Sequence, residues 1–409
     1  MKQLIIIGNG MAANRVLEGL DTQHEYESIT VLSDEHLPHY NRIMLSPLLA
    51  QETTLPAITP HSDEWYHDRR IQIRLNDAVE RIDTQQQLVY TTEGYSLGYD
   101  ELIFATGSRS FIPPVSGADH PDVIGFRTMS DVDVMEEKLN AIQHATVIGA
   151  GLLGVEAAVG LTLRGIQVTL MHRNPVLMNR QLDATAGDML ASALAERGVD
   201  VRTGVNPMSI QHNDQGIESL TYQRGDDTVT LPTQLVIFAT GITPNKELAE
   251  DAGLACGRGI QVNEHMQTSL PGVYALGECC EFAGATYGLV APIWDQAAVV
   301  TAQLLNDQQA PHYIERSHLT KLKVSGLDIH SIGEFNTPDD AEELRYEDRE
   351  HGVYKKLILR DNRLIGALCI GDVTDSVWYY DLMSQETDIS AIRANLMFGQ
   401  AYCEDHNAA

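Results

Sequence analysis

The chain has 409 residues, 43% of them apolar and 21% charged, which is long enough for two or three domains with ordinary hydrophobic cores. Acidic residues outnumber basic ones 57 to 28, and the net charge of −29 repels a polyanion, so nucleic-acid binding is excluded as a leading role. The same charge favours solubility and could steer a cationic partner, although a solvated acidic surface is the simpler account of it.

The chain opens on Met-Lys-Gln and enters an apolar run at once, with no basic segment and cleavage site, and no stretch of about 18 apolar residues follows. A cytoplasmic, reduced protein is expected. The first apolar run leads into LIIIGNGMAANRVLEGL, which reads as strand, tight turn and helix, with Gly8, Gly10 and Ala13 in a G-x-G-x-x-A spacing. The first glycine permits the turn, the second lets a pyrophosphate approach the backbone, and the small third residue lets the helix pack on the strand. The amides of Met11 and Ala12 then open the helix. A second strand, SITVLSDE, ends in Asp34 and Glu35, where a carboxylate would meet a ribose hydroxyl.

The same layout returns from Ala145 as ATVIGAGLLGVEAAVGLTLRG, with Gly149, Gly151 and Gly154 in G-x-G-x-x-G and Leu152 and Leu153 opening the helix. Its second strand, IQVTLMHR, ends in His172 and Arg173, with Arg180 beyond. A carboxylate there would repel a 2′-phosphate and an arginine would accept it, so NADPH is favoured over NADH unless Arg173 is only a solvated charge. Two such units imply two nucleotide-binding domains.

A further echo joins LIFATGSRSFIPP and LVIFATGITPN, apolar runs that end in Ala105-Thr106-Gly107 and Ala239-Thr240-Gly241. A third run, GVYALGEC, precedes the helix-like APIWDQAAVVTAQLLND. From Pro311 the pattern changes to short strand-like runs, LTKLKVS, IHSIGEF, YKKLILRD and RLIGALCIG. The expected architecture is α/β, with two Rossmann-like domains for FAD and NAD(P) and a smaller C-terminal α+β domain. Its expected boundaries are 1–113 and 242–310 for the FAD domain, 114–241 for the NAD(P)H domain, and 311–409 for an interface or dimerisation-like domain.

With these segments in this order, the whole chain resembles the two-dinucleotide-binding flavoproteins, which include ferredoxin, rubredoxin and putidaredoxin reductases and have a glutathione-reductase-like architecture. IIIGNGMAA, HYNRIMLS, GAGLLGVEAA, RQLD and YALGEC followed by YGLVAP are most similar to the N-terminal flavin module of bacterial NAD(P)H nitrite reductase large subunits and to assimilatory nitrate or nitrite electron-transfer subunits. The resemblance implies that Gly8, Gly10, Met11, Ala12, Ala13 and Asp34 or Glu35 hold the ADP half of FAD. Arg42 and Ser46 would lie along its pyrophosphate or flavin side, with Val79, Ala105, Thr106 and Gly107 closing the pocket. Gly277 and Glu278 occupy the usual Gly-Asp site, one methylene longer. The helix near Pro292 would aim its dipole at the flavin. Gly149, Gly151, Leu152, Leu153, Gly154, His172, Arg173, Arg180, Ala239, Thr240 and Gly241 would hold the pyridine nucleotide. Glu156 matches a family position beside the nicotinamide, where it would orient the amide or, alternatively, be a plain helix-surface carboxylate. Hydride passes from nicotinamide to flavin without a protein acid or base, so positioning is the catalysis.

Departures from the relatives narrow the expected activity. Disulfide reductases carry a redox-active cysteine pair, and peroxidase-type relatives a single cysteine after the Arg42 region, where this chain reads NRIMLSPLLA. Cys256, Cys279, Cys280, Cys369 and Cys403 form no C-x-x-C pair and no metal-ligand spacing, and neither do histidines such as His39 and His172, so no metal site is expected. The adjacent Cys279 and Cys280 read as buried structural residues. Nitrite reductase large subunits continue into iron–sulfur and sirohaem regions, whereas this sequence stops soon after Asp405. The expectation is therefore an NAD(P)H-dependent reductase that passes electrons to a separate nitrite or nitrate reductase component, rubredoxin or ferredoxin, without membrane contact and with a homodimer possible. The alternatives are an oxidase or diaphorase acting on oxygen or quinones, and a flavoprotein whose redox state controls binding. Lys321 and Lys323 share a strand face that could meet an acidic carrier or the nucleotide, or simply water. Trp294 reads as a flavin shield or a core residue, and Trp378 as core.

Overall fold

The structure, a computed structural model, describes residues 2–404 except 308, 317, 325 and 326. The chain divides into two compact units: residues 1–110 with 242–316, and residues 111–241 with 317–409.

The first unit is built on a five-stranded parallel sheet in the order Val273–Ala275, Glu101–Phe104, Gln3–Ile7, Ser28–Leu32 and Ile71–Arg74. Its central strand is the opening apolar run, and Leu4 to Ile7 are all buried because a parallel strand has both faces covered. The helices Met11–Leu20 and Ala291–Leu304 cover one face together, and they approach so closely that a Cβ on Gly19 would stand 2.8 Å from the Thr301 hydroxyl. A three-stranded antiparallel ribbon, Val79–Asp83, Leu88–Thr91 and Ser96–Gly98, is added between the third and fourth core strands in sequence.

The second unit repeats the plan. Its parallel sheet runs Asp200–Thr203, Gln167–His172, His144–Ile148, Leu235–Phe238 and Val123–Ile124, with the central His144–Ile148 feeding the helix Leu152–Leu163. The antiparallel ribbon is Val205–Asn213, Gly216–Arg224 and Asp227–Pro232. The internal echo of the sequence is thus an echo of structure, down to the ribbon inserted before the Ala-Thr-Gly strand.

Also in the second unit is an antiparallel sheet in the order Thr320–Val324, Leu327–Gly333, Arg363–Ile370, Val353–Arg360 and Glu342–Asp348. The helix Ser376–Ser384 covers it, and Tyr379 is fully buried against Leu357, Ala367 and Cys369 in its own core. Trp378 packs at the margin of that core, and Trp294 is instead exposed, with the Arg15 guanidinium 5.4 Å from its ring centroid. Lys321 is exposed, and the side chain of Lys323 lies outside the described residues. No helix among the described residues is long and apolar enough to cross a membrane.

Candidate dinucleotide sites

Both sites are made by one local device. Gly8 has φ +103, and an added Cβ would lie 2.3 Å from the carbonyl oxygen of Ala105. Gly149 has φ +106, and its Cβ would lie 2.3 Å from the carbonyl oxygen of Ala239. Each first glycine is therefore pressed against the backbone of its own unit's Ala-Thr-Gly segment in a conformation that L side chains avoid. The strand hydrogen bonds around each turn leave it no freedom to move: Gly8 N–H donates to Leu32 and Ala105 N–H to Ile7, while Gly149 N–H donates to Met171 and Ala239 N–H to Ile148.

The second glycines, Gly10 and Gly151, are N-caps of the helices Met11–Leu20 and Leu152–Leu163, and neither supplies a side-chain cap. A helix start without a cap leaves N–H groups of the first turn to be satisfied by water or an anion. The dipole at such an end is worth about 0.3–1 kcal/mol at an exposed site, so the direct amide contacts would provide most of the hold on a pyrophosphate. The third small residues set helix-to-strand packing. Ala13 is fully buried, and a Cβ on Gly154 would sit 1.7 Å from the Gly149 carbonyl oxygen, so the second turn tolerates nothing larger than glycine there.

Around the first turn the structure gathers the residues that the sequence scattered. The Arg42 guanidinium lies over Gly10, its Nε 3.7 Å from where a Cβ would stand, and it donates to the Glu35 carboxylate and to the Tyr40 hydroxyl. Tyr40 in turn donates to Glu35 at 2.7 Å. Glu35 is therefore committed to Arg42, and Asp34 is the exposed carboxylate at the end of the strand. Ser46 is buried in the short helix Leu45–Leu49 just after Arg42.

Thr106 is fixed by a residue 139 positions away: its hydroxyl donates to the Asn245 carbonyl at 2.7 Å, and Asn245 Nδ2 donates back to the Thr106 carbonyl at 2.9 Å. The Asn245 amide also donates to Gly107. Glu278 accepts from the Ser108 hydroxyl at 2.9 Å, and Gly277, at φ +83, donates to Gln296 Oε1 at 2.8 Å, with its missing Cβ 3.1 Å from Ala12. Pro292 is buried in the first turn of Ala291–Leu304, and Val79 is half-buried at the start of the antiparallel ribbon.

Two features went unread in the sequence. Asn9, between the two glycines, is buried with both its Oδ1 and Nδ2 unpartnered, and Gln296 Nε2 is a further buried donor without a partner. Each such atom costs about 1–3 kcal/mol when left unsatisfied. Together with the uncapped helix start and the missing Cβ atoms, these orphaned groups fit a polar, phosphate-bearing occupant of the first turn.

Around the second turn, His172 is tied in on both sides. Its Nδ1 accepts from the Ala150 N–H at 3.1 Å, and its Nε2–H donates to Asn179 Oδ1 at 3.0 Å. Burial, with help from the neighbouring Arg173 charge, holds its pKa below the usual imidazole value. His172 thus stays neutral and braces the turn. Arg173 and Arg180 are exposed and make no ion pair with a described residue. Glu156 is half-buried in the second turn of the helix, Leu152 is half-buried and Leu153 exposed. The Thr240 hydroxyl donates to the Phe111 carbonyl at 2.6 Å, and Gly241 is exposed at φ +120.

No group of three or more metal-ligating side chains occurs among the described residues. All five cysteines are free, and Cys279 and Cys280 are fully buried, their thiol pKa values raised by that burial. Cys279 donates to the Phe104 and Leu276 carbonyls and Cys280 to Gly277. They brace the Gly277 loop from behind and offer no thiolate.

Residues 2–303 match the model of the pyridine nucleotide-disulphide oxidoreductase family. The chain belongs to that family. Residues 319–387 match the rubredoxin NAD+ reductase C-terminal domain, which accounts for the second unit's antiparallel sheet. The chain is 40% identical over 391 residues, 95% of its length, to "Nitrite reductase [NAD(P)H]" of Bacillus subtilis, and 37% identical over 398 residues, 97% of its length, to "Assimilatory nitrate reductase electron transfer subunit" of the same organism. It spans about half the length of these relatives, 48% of the first and 51% of the second. Among solved structures it is similar to NADH:rubredoxin oxidoreductase from Clostridium acetobutylicum, with 26% identity, a TM-score of 0.78, and 97% of this chain and 99% of that one covered. Membership of the family makes FAD and a pyridine nucleotide the cofactors of this oxidoreductase.

Proposed function

We propose that the chain takes electrons from NAD(P)H through FAD and delivers them to a separate redox protein, a nitrite or nitrate reductase component, a rubredoxin or a ferredoxin. The observation that carries this reading is the duplicated turn, in which a Cβ on Gly8 or on Gly149 would stand the same 2.3 Å from an Ala-Thr-Gly carbonyl oxygen, one turn per unit. One turn would hold FAD and the other the pyridine nucleotide. Bound FAD supplies the chemistry of accepting a hydride and giving up its electrons singly.

The protein's part is to bind and orient. Gly8, Gly10 and the amides of Met11 and Ala12 would receive the FAD pyrophosphate, with Ala13 seating the helix, Asp34 meeting the ribose, and Arg42 and Ser46 lining the diphosphate or flavin side. Ala105, Thr106, Gly107 and Val79 would close that pocket, and Glu278 would accept from the ribitol region while Pro292 starts a helix whose positive end faces the flavin. Gly149, Gly151, Leu152, Leu153 and Gly154 would receive the second pyrophosphate under Ala239, Thr240 and Gly241, with Glu156 orienting the nicotinamide amide. We place the reaction in the reducing cytoplasm, which five free thiols suit.

Nothing on the protein side demands NADH. The unpaired guanidinium of Arg173, with Arg180 beyond it, is suited to a 2′-phosphate. Arg173→Glu is therefore expected to raise the Michaelis constant for NADPH about tenfold or more, as a charge reversal beside a dianion should, and to change that for NADH little. Equal effects on the two would remove the phosphate from this reading.

The acceptor is tested by reducing the holoprotein anaerobically with NAD(P)H and mixing it with rubredoxin, ferredoxin or a nitrite reductase component. Reoxidation by one of these carriers at least about tenfold faster than by air-saturated buffer is expected. Oxygen or a quinone outpacing every carrier would make the protein an oxidase or diaphorase instead. Slow reduction followed by a stable complex and a change of oligomeric state would make it a redox-controlled binding protein.

A further inference from the structure

The segment between His172 and Asp183 joins the second glycine turn to the C-terminal sheet, and turn, segment and sheet all belong to the second unit. At its near end it grips the fingerprint. Ala150, between the first two glycines, donates its N–H to His172 and accepts from the Met178 N–H at 2.8 Å, so both backbone polar groups of this residue, in two successive peptide units, are held. Met178 is buried with φ +47, a conformation a non-glycine residue keeps only where its surroundings over-determine it. The exposed Arg173 and Arg180 ride on this segment.

At its far end the segment is clamped by the sheet. The Ser331 hydroxyl donates to the Gln181 carbonyl at 2.7 Å. Asp183 caps the helix Ala184–Glu196 by accepting from the Ala186 N–H with Oδ1, while its Oδ2 accepts from the Tyr354 hydroxyl at 2.7 Å and from Lys356 Nζ at 3.1 Å. Lys356 is only 5% exposed, and its ammonium also reaches the Glu343 carboxylate at 3.3 Å and donates to the Phe335 carbonyl at 3.1 Å.

A dock needed for stability alone is served as well or better by apolar residues, because a buried ammonium loses its hydration and recovers it only in good geometry. A charged, hydrogen-bonded dock specifies orientation. We propose that the C-terminal sheet sets the pose of the nucleotide loop, with Tyr354, Lys356 and Ser331 as positioning residues that act through Asp183 and Gln181 on Arg173, Arg180 and the Ala150 peptide. This rests on the reading that the second turn and its arginines receive the pyridine nucleotide. The sheet would then be a determinant of nucleotide choice, and removing one hydroxyl more than 170 residues from the motif in sequence would be felt as a loss of discrimination.

The test measures dissociation constants of NADPH and NADH for the FAD-loaded protein by quenching of nucleotide fluorescence, in wild type, Tyr354→Phe and Ser331→Ala. Each variant deletes one hydroxyl and leaves the surrounding packing in place. The expected result is a NADPH constant raised about fivefold or more, a smaller rise for NADH, and unchanged FAD content. In an Arg173→Ala background the NADPH constant should respond to Tyr354→Phe no more than the NADH constant does. Wild-type binding that neither hydroxyl deletion alters, equal weakening for both nucleotides, or weakening that comes only with loss of FAD overturns the proposal. A wild type that binds neither nucleotide overturns the underlying reading as well.

Discussion

A Gly8→Ala protein is expected to leave purification colourless, with FAD affinity reduced about a hundredfold or more, while its NAD(P)H affinity stays near that of the wild type. The methyl would enter 2.3 Å from the Ala105 oxygen and 2.7 Å from its carbonyl carbon, contacts that require backbone to move. Neither strand can yield, because Gly8 N–H is bonded to Leu32 and Ala105 N–H to Ile7, both at 2.8 Å. The φ of +103 adds a penalty of about 1–2 kcal/mol for alanine, and forced overpacking adds about 1–3 kcal/mol. At about 1.4 kcal/mol per decade, a sum of about 2–5 kcal/mol corresponds to roughly 1.5 to 3.5 powers of ten, centred above a hundredfold. FAD per protein after gel filtration and titration with added FAD measure the loss. Stoichiometric FAD in the variant would mean that this turn holds no dinucleotide.

The mirror substitution, Gly149→Ala, is expected to give a fully yellow protein whose NAD(P)H affinity falls by a similar factor. Here the methyl meets the Ala239 oxygen at 2.3 Å, and the turn is fixed by Gly149 N–H to Met171 at 2.7 Å and Ala239 N–H to Ile148 at 2.8 Å. Because the two turns belong to separate units, each defect should be confined to its own cofactor. A chemical reductant should still bleach the variant's flavin at the wild-type rate, and saturating NAD(P)H should do so only at much higher concentration. A variant that loses FAD together with nucleotide binding would contradict the assignment of one cofactor to each turn.

The sequence was most legible where structure is local. An apolar run with both faces buried, a glycine forced to positive φ and a helix started without a cap are consequences of a few adjacent residues, and both fingerprints, their second strands and both Ala-Thr-Gly strands are found where the pattern puts them. The C-terminal sheet was readable in four of its strands for the same reason. Its fifth, Glu342–Asp348, was not: it is an edge strand of EELRYED composition with most side chains in water, so no alternation of apolar residues marks it. Val123–Ile124, the last strand of the second parallel sheet, is too short to show a period.

The candidate sites follow the same division. Gly8, Gly10, Gly149 and Gly151 announce themselves, whereas the pairing of Thr106 with Asn245 and of Asp183 with Tyr354, 171 positions apart, depends on tertiary contact. Asn9 lay inside the fingerprint and still passed unnoticed, since its significance is the absence of any partner for a buried amide. Asp34 and Glu35 stood equal in the sequence, because the engagement of Glu35 by Arg42 and Tyr40 is a contact that adjacency does not reveal. RQLD held the signal for the clamp, an aspartate immediately before a helix, but an N-cap alone does not reveal what else shares the carboxylate.

The most direct measurement is an anaerobic titration of the purified protein with NADPH and NADH, following the flavin absorbance. A yellow protein with one FAD per chain, bleached stoichiometrically by one equivalent of pyridine nucleotide, is the expected result. A protein that stays colourless after reconstitution with FAD, or a bound flavin that neither nucleotide reduces, would contradict it.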